Sequence, residues 1–157
     1  MAQHTVSATA EISAPAERIY GLIADYHDGH QRILPKPPFV SLDVEQGGVG
    51  AGTIVRFEMR LMGRTQIFRA TITEPEPGRV LVETNDTGQV TTFTVAPHAA
   101  QQSTVTIATA TTVRNGVLGT IEGWLTTRLL RPIYLKELAQ IAAVAGQETD
   151  SNESRLS

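Results

Sequence analysis

From Thr53 to Leu61 apolar and charged residues alternate: Val55, Phe57, Met59 and Leu61 fall on one side, Arg56, Glu58 and Arg60 on the other. A period of two is the signature of a half-buried antiparallel strand. Met62-Gly63 makes a tight turn into a second strand over Thr65 to Thr73. A two-residue loop sets Phe57 opposite Phe68, Val55 opposite Ala70 and Met59 opposite Gln66, so the apolar faces agree. The same register puts Arg56 beside Arg69 on the outer face, a small penalty. Further strands are expected over His4 to Ile12, Val40 to Glu45, Arg79 to Thr84, Val90 to Val95 and Ser103 to Val113, with Gly- and Pro-rich turns between several of them.

The period changes in three places. Ile19, Leu22, Ile23 and Tyr26 follow i, i+3, i+4 and i+7, one helical face, opened by Ser13 as a cap and Pro15 in the first turn. Asp28-Gly29 breaks this helix, and a short turn through Gln31 to Leu34 precedes the prolines at 35, 37 and 38. From Val117 to about Ala145 no turn signal appears except Pro132. A stripe through Val117, Ile121, Trp124, Leu125, Arg128, Pro132, Leu135, Leu138 and Ile141 predicts a long helix with Trp124 facing inward and a kink at Pro132. The polar stretch 146–157 offers little to bury and is expected to fray as a tail behind a single domain of residues 1–145.

These elements predict an α+β fold: a curved seven-stranded antiparallel sheet around a long C-terminal helix, with two short helices after the first strand. One helix does not fill the concavity of a twisted sheet of that size, so an internal cavity follows. The chain has 157 residues, which suits one domain. It has no cysteine, which excludes disulfides and thiolate chemistry. Thirteen basic residues against sixteen acidic ones, with no basic run, give no footprint for nucleic acid. Met1-Ala2-Gln3-His4 lacks the features of a signal peptide, and no apolar run is long enough to span or insert into a membrane. A cytoplasmic, soluble protein, monomeric or weakly dimeric, is the expectation.

Local chemistry is sparse. His27 and His30 lie near Asp25 and Asp28, but Gly29 interrupts their helix, so a solvated loop is preferred, with a cavity-mouth contact second and a metal site last. The glycine-rich run from Gly47 to Gly52 joins two strands, and a mobile cavity lip is one role for it. No serine carries a nucleophile signature. Glu83 is open: a three-residue loop pairs Leu81 with Phe93 and turns Glu83 inward, whereas a two-residue loop turns Val80 and Val82 inward. An inward Glu83 carboxyl has a raised pKa. The expected cavity wall is Val55, Phe57, Met59, Phe68, Phe93 and Trp124, with Gln66, Glu83, Arg128 and Tyr134 as polar groups. Arg128 either meets an acidic ligand group or packs its stem and reaches water.

Four passages resemble one family. Ile12-Ser13-Ala14-Pro15-Ala16-Glu17-Arg18-Ile19-Tyr20 is similar to the opening strand-to-helix passage of the START and birch-pollen-allergen superfamily (SRPBCC), in its polyketide cyclase/dehydrase-like branch. Asp25-Tyr26, Gly50-Ala51-Gly52-Thr53 and the turn Glu74 to Leu81 add to the likeness, which spans about residues 4–145. The resemblance implies the helix-grip fold. It implies binding of lipids, sterols, polyketides or other apolar molecules, with cyclases, aromatases and chaperone cofactors among the members. No cofactor and no metal are expected. Carriage of a small hydrophobic ligand is the first expectation. A cyclase or dehydratase-type enzyme using the same cavity is the second, and an interaction module with a filled interior the third.

Overall fold

The computed structural model describes residues 1–156, and of residues 148–153 the backbone alone. The elements run β1 (Ala2–Ile12), α1 (Ala16–Ala24), α2 (Gly29–Ile33), β2 (Phe39–Gln46), β3 (Ile54–Leu61), β4 (Arg64–Glu76), β5 (Val80–Asn85), β6 (Val90–Ala99), β7 (Gln102–Val113) and α3 (Val117–Leu156). The seven strands form one antiparallel sheet in the order β1-β7-β6-β5-β4-β3-β2. α3 packs against β1, β7, α1 and α2, which makes a helix-grip α+β fold.

The β3–β4 hairpin has the register its apolar alternation demands, with Phe57 opposite Phe68 and Val55 opposite Ala70. Met62 and Gly63 both take positive φ, 52° and 76°, as a twist-compatible two-residue turn requires. Arg56 and Arg69 are neighbours as expected, but each leans to an acid on β2: Arg56 lies 3.7 Å from Asp43 and Arg69 2.5 Å from Glu45. β5 and β6 join through three residues, so Leu81 pairs with Phe93. That choice turns Glu83 inward.

Several local expectations are corrected. Ser13 does not cap α1; Pro15 holds the cap position, without any side-chain hydrogen bond. Gly29 begins α2 rather than merely ending the first helix, and a Cβ there would meet the Leu22 carbonyl oxygen at 2.5 Å. This glycine is needed for the close approach of α2 to α1. The run from Gly47 to Gly52 is no cavity lip. The Gly48 carbonyl accepts from Tyr26 N–H at 2.8 Å, and Gly50 N–H donates to the Ala24 carbonyl at 2.9 Å. Glu74 fastens the same loop by accepting from Ala51 N–H at 2.7 Å, and it also accepts from the Tyr20 hydroxyl at 2.6 Å. Residues 146–156, expected to fray, continue α3, because no proline or left-handed glycine stops it; Ser157 lies outside the described residues.

The largest correction concerns the first half of α3. Trp124 is 56% exposed, and Val117, Leu118, Ile121, Leu125 and Leu135 also face outward. Arg128 is exposed too, with its guanidinium 5.0 Å from the centre of the Trp124 ring. The face turned to the sheet is made of small residues. Gly119 and Gly123 are buried, and a Cβ on them would lie 1.5 Å from the Arg114 carbonyl oxygen and 2.7 Å from the His4 ring. Apolar spacing located a stripe but did not say which stripe turns inward. The glycines at i and i+4 decide it, because they let the backbone approach the sheet closely. Further along, Ile133, Tyr134, Glu137, Leu138, Ile141, Val144 and Ala145 turn inward. Pro132 lies within the continuous helix on its exposed side.

Candidate functional site

Between the sheet and α3 lies a cavity of about 300 Å³. β3 supplies Phe57, Met59 and Leu61, and β4 supplies Gln66, Phe68 and Ala70. Glu83, Asn85, Thr91 and Phe93 come from β5 and β6, with Thr87 and Gln89 from the turn between them. His30, Leu34 and Phe39 close one side, and Thr126, Leu129, Leu130, Ile133, Tyr134 and Glu137 of α3 form the roof. An apolar wall broken by a few polar groups is the usual make-up of a small-molecule site. The open volume also disposes of a side-chain-filled interior.

Of the expected wall, Phe57, Met59, Phe68 and Phe93 line the cavity, and so do Gln66, Glu83 and Tyr134. Val55 shares their face but is fully buried in the packed core and does not reach the cavity. Trp124 and Arg128 do not line it, for the reason given above.

Three groups outside the expected wall line or back the cavity. His30, expected in a solvated loop, is 1% exposed. Its ring stacks on Tyr26 with centroids 4.3 Å apart and meets Phe93 edge-on at 5.6 Å. Its Nδ1–H donates to the Ile23 carbonyl at 2.7 Å, which leaves Nε2 as an acceptor in the neutral ring. Burial lowers its pKa to about 4, with the Ile23 carbonyl acting weakly in the opposite sense. Tyr26, the last residue of the first apolar stripe, is fully buried and donates to Glu83 Oε1 at 2.6 Å.

Glu83 Oε1 therefore accepts from the Tyr26 hydroxyl and lies 3.4 Å from His30 Nε2, an acceptor that the Glu83 carboxyl can bond only when it carries its proton. Burial raises its pKa to about 7, and the Tyr26 hydrogen bond offsets part of that rise. The third group is Glu137, 3% exposed, whose Oε1 is buried without a hydrogen-bond partner. Burial first, then the nearby Glu83 carboxyl, hold its pKa well above the usual carboxylate range. Beside it the Tyr134 hydroxyl bonds Thr109, and Thr109 bonds Thr91 at 2.8 Å, so these hydroxyls are already committed. Among the described residues no Lys or Arg lines the cavity. No cluster of three His, Cys, Asp or Glu side chains suited to a metal occurs among them either. No helix of the described residues is long and apolar enough to cross a membrane.

One signal could have exposed Glu137. Leu130, Tyr134, Glu137, Ile141 and Val144 are spaced as one inward stripe, and an acid inside such a stripe is out of place unless it has a task.

Residues 3–146 match the family model described as polyketide cyclase/dehydrase and lipid transport. Among curated protein sequences none matches the chain. The solved structure of the KanY protein is similar at 26% identity with a TM-score of 0.79, covering 93% of this chain and 99% of that one. The Zhui aromatase/cyclase from Streptomyces is similar in fold at 14% identity and a TM-score of 0.72, covering 94% and 96%. A START superfamily protein from Mycobacterium smegmatis follows at 18% and 0.67, covering 92% and 98%.

Proposed function

Because this chain belongs to the polyketide cyclase/dehydrase and lipid transport family, we propose that it binds and carries one small, largely apolar molecule in the cavity under α3. The observation that carries this reading is the open volume itself, walled by Phe57, Phe68, Phe93, Met59 and Leu130. Folded interiors are otherwise packed nearly as tightly as organic crystals. A void of this size has been kept rather than closed by larger side chains.

Titration with the neutral fluorophore N-phenyl-1-naphthylamine tests it. Saturable binding at one site, lost in Ala70→Phe, which fills the cavity from β4, is the expected result. No saturable binding to the unaltered protein, or equal binding to the variant, refutes the reading.

A cyclase or dehydratase-type enzyme is the second reading, and Glu83 favours it. A carboxyl with a pKa of about 7 in an apolar cavity can both give and take a proton near neutrality. Two arms of the family name, cyclase and dehydrase, describe reactions that need such a group beside a held substrate. Turnover of a poly-β-keto thioester that disappears in Glu83→Gln supports it. Turnover unchanged by that substitution removes Glu83 from the chemistry.

A further inference from the structure

The cavity's polar groups are unbalanced in one direction. Glu137 offers a buried oxygen with no partner, whereas nearly all buried polar atoms in folded proteins have one. Glu83 lines the same cavity, close enough for the two carboxyl charges to interact. Against these two acids no Lys or Arg side chain stands among the described lining residues. The one imidazole, His30, spends its Nδ1–H on the Ile23 carbonyl; its Nε2 lies 3.4 Å from Glu83 Oε1, but burial among aromatic rings keeps the ring neutral, so it supplies no positive charge.

We infer that the ligand is an amine: an aromatic-sized apolar body carrying one ammonium group, which sits against Glu137 and Glu83. The inference rests on the cavity reading above and gives that ligand a chemical class. An anionic head group is excluded by two acids without a counter-charge. A hydroxyl could satisfy Glu137 Oε1 but leaves the carboxyl in the protonated state that burial favours. An ammonium supplies both the missing donor, with up to three N–H groups, and the positive charge that lets the carboxyl ionise there. Buried carboxylates are tolerated when paired in this way. The proton balance closes by either route. An uncharged amine takes the proton of the Glu137 carboxyl, breaking O–H and forming N–H, or an ammonium enters and that carboxyl's proton leaves to water. The rings of Phe57, Phe68 and Phe93 around the same space suit the apolar body and add attraction for a cation over a ring face.

Calorimetric titration of the full chain with four probes of nearly equal size tests the inference: phenethylamine, phenylethanol, 4-phenyl-2-butanone and 3-phenylpropanoate. The amine is expected to bind at least about tenfold more tightly than the alcohol or ketone, and the carboxylate least of all. In Glu137→Gln the amine's advantage over the alcohol and the ketone should fall to about onefold. An alcohol or ketone that binds the unaltered protein as tightly as the amine overturns the inference without any variant. An advantage that survives in Glu137→Gln overturns it as well. If N-phenyl-1-naphthylamine binds and the amine shows no preference, only this inference falls. If neither the four probes nor N-phenyl-1-naphthylamine binds, the cavity reading falls with it.

Discussion

Replacing Glu83 by Gln should make stability rise, relative to the unaltered protein, as pH increases. The glutamine keeps a carbonyl oxygen for the Tyr26 hydroxyl but cannot ionise. In the unaltered protein, the Glu83 pKa lies at about 7 in the folded state against an ordinary 4.5. A group whose folded pKa is raised favours folding fully below its unfolded pKa and loses that contribution as pH climbs through the folded one. The displacement corresponds to about 3 kcal/mol, lost between pH 4.5 and just above 7. A plain stability profile will not isolate it. His30 works in the opposite direction, because its folded pKa of about 4 lies below the ordinary 6.5. Its contribution is present above 6.5 and is lost as pH falls toward 4, so it offsets the Glu83 slope over the shared range, whereas Glu137, raised in the same sense as Glu83, adds to that slope. The difference between the two proteins separates them. Urea unfolding followed by far-ultraviolet circular dichroism at half-unit steps from pH 4 to 8 is the assay. The variant should match the unaltered protein at pH 4 and exceed it by about 2 to 3 kcal/mol at pH 8. Parallel profiles would show that Glu83 titrates as it does in water, and the account of the buried Tyr26–Glu83–His30 group would be wrong.

Two further outcomes follow from α3. Gly119→Ala improves helix propensity by about 1 kcal/mol, yet the added methyl would lie 1.5 Å from the Arg114 carbonyl oxygen; a net loss of roughly 1–3 kcal/mol is expected, and an increased urea midpoint would contradict it. Trp124 is exposed and outside the cavity, so its emission should stay at the water-exposed maximum when the cavity fills; a blue shift on binding phenethylamine would place the indole in the site after all.

Much of the sheet could be read from the chain because its information is local. Val55, Phe57 and Met59 alternate cleanly, Met62-Gly63 sets one loop length, and together they define the β3–β4 register. Glu83 stayed open because its orientation depends on the loop between Thr84 and Val90, and the residues there suit either length. The structure resolves it through Asn85, whose side chain accepts from the N–H groups of Thr87 and Gln89 and sets a three-residue loop. His30 was misjudged for a different reason. Its burial comes from Tyr26, Phe57 and Phe93, which lie on three separate elements. No window of sequence contains that neighbourhood. In the first turns of α3 the apolar residues Val117, Leu118, Ile121, Trp124 and Leu125 do form one stripe, but spacing alone does not say whether a stripe faces the sheet, and this one faces outward. The positions of Gly119 and Gly123 carried the direction instead, through the space they leave rather than through any contact they make.

Those glycines divide α3 into stretches with different mechanical roles. From Leu138 to Ala145 the helix is rooted by fully buried side chains, Ile141 and Ala145 among them. Around Gly119 and Gly123 it rests on backbone proximity, on the His4 to Thr127 bond at 2.8 Å, and on Glu122, which pairs with the Arg114 guanidinium and accepts from the Arg114 backbone N–H at 3.2 Å. Lifting the front turns therefore exposes little new apolar surface, while lifting the rear would open the core. Amide hydrogen exchange should show this as a gradient, fast over residues 119–126 and slow over 134–145, and uniform protection along α3 would disprove it. With Thr126, Leu129 and Leu130 roofing the cavity at the junction, the loosely seated front of the helix is, under the proposed carrier reading, where a ligand would pass in and out, while the rooted rear would stay in place.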